Sequence, residues 1–179
     1  DDSMDEAFYI RAGINEEQGD IDQAIIDYTR AIELNPETPF YHNGRGLTYG
    51  KLKRYEEAID NYSSAVRLDP EYATAYNNRG YALEKLNRFE EALTDFDKAI
   101  DLDSTRSAFF SNRALLYSST DRFEQAIRDF DQAIELKPDH ANLFNRRGIA
   151  KRSIQRYEEA LQDFDKAIEL APDSANPLM

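Results

Sequence analysis

Several residue types that carry enzyme chemistry are scarce or absent in this 179-residue chain. Cysteine is absent, which excludes disulfide bonds, thiol catalysis and thiolate metal sites. The two histidines suggest no metal ligand, since His42 occupies a helix position and His140 a connecting turn. No Gly-rich phosphate loop, H-E-x-x-H sequence or nucleophile elbow occurs either. The sequence therefore predicts a non-enzymatic protein without a cofactor or a metal.

Positive charge is also scarce. The chain has 22 Lys and Arg residues against 35 Asp and Glu, a net charge of -13 at pH 7. Such a chain repels phosphate groups, which argues against nucleic-acid and membrane partners. No apolar run approaches the ~20 residues of a membrane span, and the acidic N-terminal sequence does not resemble a signal peptide. These features favour a cytoplasmic location and leave open that the chain is a segment of a longer protein.

The strongest positive feature is a 34-residue repeat. One position holds Ala or Gly in every block, and a position twelve residues later always holds Ala. Tyr or Phe follows that Ala after four residues, and a further Ala follows after seven, which is helical spacing. The five blocks span residues 5–38, 39–72, 73–106, 107–140 and 141–174, and residues 1–4 and 175–179 are left as tails.

Each block is predicted to form two antiparallel helices, A and B, joined by a short turn. In the third block we expect helix A at about 74–86 and helix B at about 89–102. The same block carries the repeat's characteristic residues, which are Tyr76, Gly80, Leu83, Ala92, Phe96 and Ala99.

This pattern resembles the tetratricopeptide repeat and covers 170 of the 179 residues. The resemblance implies an all-α fold, an α-solenoid in which stacked antiparallel helix pairs form a right-handed superhelix. It also implies that helix A lines the concave face, which in this family commonly holds an extended peptide or a partner's helix. Three positions depart from the pattern: Asn15 and Lys151 replace an aromatic residue, and Ser104 replaces the proline that closes a block.

A further departure is an arginine directly before the small residue of helix A in every block. An acid or amide stands sixteen residues later, and antiparallel helices would bring the two together. We predict a structural ladder of contacts within a block or to the adjacent helix B, although binding of an acidic ligand by the arginines stays open. The ladder comprises Arg11, Arg45, Arg79, Arg113 and Arg147, with Asp27, Asn61, Asp95, Asp129 and Asp163.

The remaining helix A positions form the candidate peptide-binding surface. By the resemblance, the lining residues are rich in asparagine, whose amide can pair with a peptide backbone. The alternative is that these asparagines only solvate an exposed helix face. Basic residues concentrate toward the later blocks, so an acidic stretch of a ligand is expected there. The candidates are Asn43, Asn77, Asn78, Tyr81, Lys85, Asn112, Asn145, Arg146 and Arg152. Apolar pockets are expected from Tyr9, Phe40, Leu47, Tyr81, Leu115 and Ile149, unless these serve packing.

Three functions compete. The leading hypothesis is a protein-protein interaction module that binds an extended peptide or partner segment in its concave groove. A second is the substrate-recognition arm of a larger enzyme, such as a glycosyltransferase. A third is a self-assembling scaffold, because no helix in the final segment covers helix B of the last block, where Leu161, Phe164 and Ile168 are expected to be partly bare.

A clamp for the C-terminal carboxylates of chaperones, known in some members of the family, is disfavoured. The residues in that register are Asn77, Tyr81, Asn112, Asn142 and Arg146, and the lysines that would hold the carboxylates are missing.

Overall fold

Residues 2–172 of the chain, described by a computed structural model, form ten α-helices and no β-strand. The odd-numbered helices are the A helices of the repeat and the even-numbered ones are the B helices. Their bounds are α1 (Asp2–Gln18), α2 (Ile21–Leu34), α3 (Pro39–Lys51), α4 (Tyr55–Leu68), α5 (Ala73–Lys85), α6 (Phe89–Leu102), α7 (Ser107–Ser119), α8 (Phe123–Leu136), α9 (Ala141–Ser153) and α10 (Tyr157–Leu170).

The helices fall into two compact units. The first unit, Asp1–Leu102, contains three helix pairs, and the second, Asp103–Met179, contains two. The sequence predicted one array over residues 5–174. The division falls between two helix pairs, at the end of α6 and close to Ser104. Within each unit the two helices of a pair pack together and helix A of a later pair packs on helix B of the pair before it. The all-α repeat architecture is confirmed, and the third block's helices begin and end within one residue of the predicted positions.

One or two residues after the end of every A helix, a residue adopts the left-handed backbone conformation with positive φ. It is Gly19 in the first pair and a non-glycine residue in the other four: Lys53, Asn87, Asp121 and Gln155. In the second pair the amide of Lys53 donates to the carbonyl of Gly50, and the amide of Arg54 donates to the carbonyl of Tyr49, both at 3.0 Å. These two bonds form a Schellman motif, which satisfies carbonyls that the end of a helix leaves without intrahelical donors. The motif makes the A-to-B turn tight and repeats its geometry in each block.

Close approach between the two helices of a pair requires the small residue of helix A. A Cβ atom added to Gly80 would lie 2.9 Å from the Cε1 atom of Phe96, whose side chain is fully buried. Gly46 and Gly148 face Tyr62 and Phe164 in the same way. The aromatic ring of helix B therefore occupies the volume that a larger residue of helix A would need.

We predict that Gly80→Leu destabilises the first unit, whereas Gly13→Leu does not. The leucine at position 80 would collide with the buried ring of Phe96 and cost about 2–3 kcal/mol despite its better helix propensity. No atom lies within 4 Å of a Cβ placed at Gly13, which makes this helical glycine a matched control. Urea denaturation followed by circular dichroism measures both variants. Equal stability of the two variants would contradict the packing explanation.

Candidate functional site

The arginine of each A helix contacts the predicted residue on its own B helix. In four repeats Nε and Nη2 donate to the two oxygens of one carboxylate at 2.5–2.9 Å. In the second repeat Arg45 donates through Nε to Oδ1 of Asn61 at 2.8 Å. The carboxylates are buried and would be costly to leave unpaired. The four bidentate pairs are Arg11–Asp27, Arg79–Asp95, Arg113–Asp129 and Arg147–Asp163.

The same guanidinium groups also connect neighbouring repeats. In the first unit Nη1 of Arg45 donates to Oγ1 of Thr29 at 3.1 Å, and Nη1 of Arg79 donates to Oγ of Ser63 at 3.2 Å. In the second unit Nη1 of Arg147 lies 2.7 Å from Oδ1 of Asp131. Contacts within a repeat and to the preceding B helix therefore occur together, through different nitrogens of one side chain.

Asn15 and Lys151, the two departures from the aromatic pattern, belong to this ladder. Nδ2 of Asn15 donates to Oδ2 of Asp27 at 3.0 Å, and Nζ of Lys151 lies 2.9 Å from Oδ2 of Asp163. Both residues give a buried carboxylate an additional donor. The sequence pattern marked them as anomalies, but only the packing shows what they contact.

Hydrogen bonds and burial within the ladder shift the pKa values of its charged groups. The bond from Arg11 is the main cause that lowers the pKa of Asp27 below its usual value, with further donation from Gln23 and Asn15. The bond to Asp95 raises the pKa of Arg79. Burial instead lowers the pKa of Arg45, which faces the neutral Asn61 and gains no carboxylate. The guanidinium groups are therefore engaged within the molecule, which favours the structural role over binding of an acidic ligand.

The helix A surface of the first unit, here called the first amide surface, consists of Asn43, Asn77, Asn78, Tyr81 and Lys85. Nδ2 of Asn78 donates to Oδ1 of Asn43 at 3.1 Å, and Nδ2 of Asn77 donates to Oδ1 of Asn78 at 3.4 Å. Asn43 and Asn77 are 7% and 8% exposed, whereas Asn78 is half-buried and Tyr81 is 44% exposed. Lys85 lies over the Tyr81 ring, 4.6 Å from its centroid. Asn78, Tyr81 and Lys85 are therefore the accessible residues of this surface.

The second unit carries its own set, here called the second amide surface: Asn112, Asn145, Arg146 and Arg152. Asn112 and Arg146 are half-buried, and Asn145 and Arg152 are exposed. Nε of Arg146 donates to Oδ1 of Asn142 at 2.7 Å, which holds the guanidinium beside the amides. This unit therefore presents positive charge next to amide groups.

The described residues were also compared for clusters of metal-ligating side chains. Over residues 2–172 no three His, Asp or Glu side chains group closely enough to hold a metal ion. His42 lies with Nε2 3.0 Å from the carbonyl of Pro36, and burial lowers its pKa. None of the described helices combines the length and the apolar character needed to cross a membrane.

The chain is a helical-repeat protein. Its helices are paired in tandem, the same internal ladder recurs in the pairs, and the A helices carry polar side chains. Family models identify the repeat. Those described as TPR repeat match residues 17–53 and 51–87, and those described as tetratricopeptide repeat match residues 73–106 and 112–175. The chain therefore belongs to the tetratricopeptide repeat family.

Solved structures give the same fold. The chain is similar to the MamA protein, with a TM-score of 0.83 and 23% identity, covering 100% of this chain and 98% of that one. It is similar to YrrB, described as a TPR protein with an unusual peptide-binding site, with a TM-score of 0.74, 25% identity and coverage of 93% and 86%. PilF of Pseudomonas aeruginosa gives a TM-score of 0.86 at 22% identity, with coverage of 95% and 78%. A search of curated protein sequences gave no significant match.

We predict strong energetic coupling between Arg79 and Asp95. Both groups are largely covered, so removal of either leaves a buried partner without its bidentate bonds. A double-mutant cycle with Arg79→Ala and Asp95→Ala should give a coupling of about 1–3 kcal/mol in the free energy of unfolding.

The matched control for this cycle is Arg88–Glu91. This pair is also bidentate, at 2.7 and 2.6 Å, but both side chains are exposed. Solvent screens such a pair, and its cycle should give no resolvable coupling. Coupling of Arg79 with Asp95 that is no larger than in this control would exclude the ladder as a source of stability.

We also predict that the stability lost in Asp27→Asn depends on pH. The pKa of Asp27 is lower in the folded chain than its ordinary value of 3.8. The charged carboxylate therefore stabilises the fold above that value, and the contribution disappears as the pH falls through the folded-state pKa. The difference in urea midpoint between the wild type and Asp27→Asn should be largest near neutral pH and shrink in acid. A difference that stays constant over this range would contradict the ionic role of Asp27.

Proposed function

We propose that this chain is a protein-interaction module that binds an extended peptide or partner segment along its A helices. The observation that carries the proposal is the hydrogen-bonded run from Asn77 through Asn78 to Asn43, beside exposed apolar side chains. Membership of the tetratricopeptide repeat family supports an interaction role, and the likeness to YrrB supports a peptide as the ligand.

The amides of the first amide surface have unequal roles in this proposal. Asn43 is buried and accepts from Asn78, so it fixes the orientation of the Asn78 amide. An asparagine amide has two N–H donors, and the described contacts of Asn78 use one of them. The other can donate to a carbonyl of a bound backbone whatever the ligand's side chains are. Asn78 is therefore the proposed backbone contact, and Asn43 and Asn77 position it.

Apolar side chains beside these amides would give the ligand its side-chain preference. Phe40 and Leu47 lie seven residues apart on α3, so they share one face of that helix. Tyr81 occupies on α5 the repeat position that Leu47 occupies on α3. All three are more than 40% exposed. We infer that apolar side chains of the ligand pack against them, on either side of a backbone paired with Asn78.

Positive charge adds a preference for acidic ligands. Arg146 and Arg152 belong to the second amide surface. Lys85 stands over Tyr81 in the first unit, and its Nζ lies 3.2 Å from Oε1 of Glu84, which an acidic ligand would compete with. The whole chain has a net charge of -13, so these positively charged side chains differ in sign from the chain as a whole. An extended segment with apolar residues and an acidic stretch suits this distribution. A substrate-recognition arm of a larger enzyme would use the same surfaces, and no separate observation favours it.

The proposal predicts that single changes on the amide surfaces weaken peptide binding. A peptide array identifies ligands of the wild type, and fluorescence anisotropy then measures their affinities for Asn78→Ala, Asn112→Ala, Tyr81→Ala and Lys85→Glu. The first three should each raise the Kd about tenfold, because each removes a direct contact. Lys85→Glu should selectively weaken acidic peptides.

Matched controls lie on the B helices. Tyr157→Ala removes a tyrosine that is 54% exposed on α10, Lys98→Glu makes the same charge change on α6, and Gln132→Ala removes an exposed amide on α8. These variants should keep the wild-type affinity. Ligands that bind Asn78→Ala, Asn112→Ala and Tyr81→Ala as tightly as the wild type would refute the proposed site.

A further inference from the structure

Arg45 is the ladder arginine whose described partners are both neutral. Its Nε donates to Oδ1 of Asn61 at 2.8 Å, and its Nη1 donates to Oγ1 of Thr29 at 3.1 Å. In the other four repeats an aspartate stands at the position of Asn61 and pairs with the arginine. Among residues 2–172 no carboxylate pairs with the Arg45 guanidinium group. The second repeat therefore carries a half-buried positive charge without a counter-ion.

Further hydrogen bonds hold both neutral partners of Arg45 in place. Nδ2 of Asn61 donates to the carbonyl of Glu57 at 2.7 Å, which turns the amide oxygen toward Arg45. The hydroxyl of Thr29 donates to the carbonyl of Ile25 at 2.7 Å, so it offers Arg45 only a lone pair. These two side chains satisfy part of the guanidinium group, but neither supplies the missing negative charge.

The charge of Arg45 acts on its surroundings. Burial lowers the pKa of Arg45, and no carboxylate is among the groups that would raise it. Burial also lowers the pKa of His42, and the positive charges of Arg45 and Arg67 lower it further. The nearby turn residue Arg54 is already bonded to Glu57. An anion beside Arg45 would therefore enter a region of positive potential.

Arg45 also has donors to spare. A guanidinium group has five N–H donors, and the described bonds of Arg45 use two of them. In the other four repeats Nη2 donates to the aspartate. Nη2 of Arg45 has no acceptor between residues 2 and 172. Nη1 and Nη2 can together bind two oxygens of one oxyanion.

A groove at the same place in the next repeat indicates how an anion reaches this group. A cavity of about 280 Å³ is lined by residues of α4, α5 and α6, among them Ser63 and Arg79. The same repeat positions in α2 and α3 hold Thr29 and Arg45. We call the corresponding groove between α2 and α4, which contains Thr29, Arg45 and Asn61, the Arg45 groove.

The second unit shows that the fold accepts a negatively charged oxygen at this place. Nη1 of Arg147 lies 2.7 Å from Oδ1 of Asp131, and Asp131 occupies the repeat position of Thr29. The same guanidinium group also binds Asp163 through Nε and Nη2. One ladder arginine can therefore bind two acidic groups at once, and Arg45 binds none among the described residues.

We propose that the Arg45 groove binds an oxyanion, a carboxylate or phosphate group, through Nη1 and Nη2 of Arg45. The oxyanion supplies the charge that an aspartate supplies in the other four repeats. Arg45 is two residues from both Asn43 and Leu47, which is about 200° around α3. The site is therefore separate from the first amide surface, and its test is independent of peptide binding there.

NMR spectroscopy of the arginine side chains measures this binding directly. The Nε–H resonances are followed as sodium acetate or sodium phosphate is added, with sodium chloride at equal ionic strength as the reference. The Arg45 resonance, assigned by its absence from Arg45→Lys, should shift saturably with a Kd of about 1–10 mM, and chloride should cause no such shift. The acetate and phosphate series show which of the two groups binds more tightly.

Exchange of the residue at the aspartate position should move the site. Asn61→Asp gives Arg45 an internal carboxylate and should abolish its saturable shift. Asp95→Asn gives Arg79 a neutral partner and should create a saturable shift there, which the wild type lacks. Circular dichroism verifies that both variants are folded. A wild type without a saturable shift, or a shift that persists in Asn61→Asp, would overturn the proposal.

Stability provides a second measurement, because an anion that binds only the folded chain stabilises it. Acetate or phosphate should raise the urea midpoint of the wild type, relative to chloride at equal ionic strength, by more than it raises that of Asn61→Asp. General effects of the salts on protein stability are common to both proteins and cancel in this comparison. An equal rise in the two proteins would exclude a specific site at Arg45.

Discussion

The guanidinium group near the middle of each A helix connects the helices of a unit through hydrogen bonds. In four repeats two of its nitrogens bind a buried aspartate on the partner B helix, and in three repeats the third nitrogen contacts the preceding B helix within the same unit. The planar, permanently charged group can hold these directions simultaneously, which a lysine ammonium could not do with the same geometry. A helix that slid or rotated would break several charge-assisted bonds together.

Packing around the ladder depends on the same spacing. Each arginine precedes a glycine or alanine, and the missing volume admits the aromatic ring of helix B. The close backbone approach in turn lets the short aspartate side chain reach the arginine. The arrangement tolerates variation, as Asn15 and Lys151 show. Each replaces an aromatic residue, and each contacts the buried ladder carboxylate of its own repeat, Asp27 or Asp163. Polar and apolar packing are therefore coupled within each repeat.

The interactions that stabilise the repeats also determine which surfaces remain for binding. Helix A contributes one side to the ladder and another to neighbouring helices, and of the amides on the first amide surface Asn78 keeps more exposure than the buried Asn43 and Asn77. Asn78 combines a bond to Asn43 with an accessible amide, so the scaffold orients the proposed ligand contact.

The amino-acid sequence by itself determined the helix pairs, their small-to-aromatic packing and the partners of the arginines. These features depend on residue spacing along a helix and on a constant separation across a short turn, both of which are readable from a 34-residue period. Only the tertiary structure decided the rest: that Asn43 and Asn77 are covered while Asn78 is accessible, that Lys53 and Gln155 adopt the left-handed conformation, and that the chain divides into two compact units. Those outcomes depend on how side chains of adjacent helices share space, and identical spacing in the sequence is compatible with more than one such arrangement.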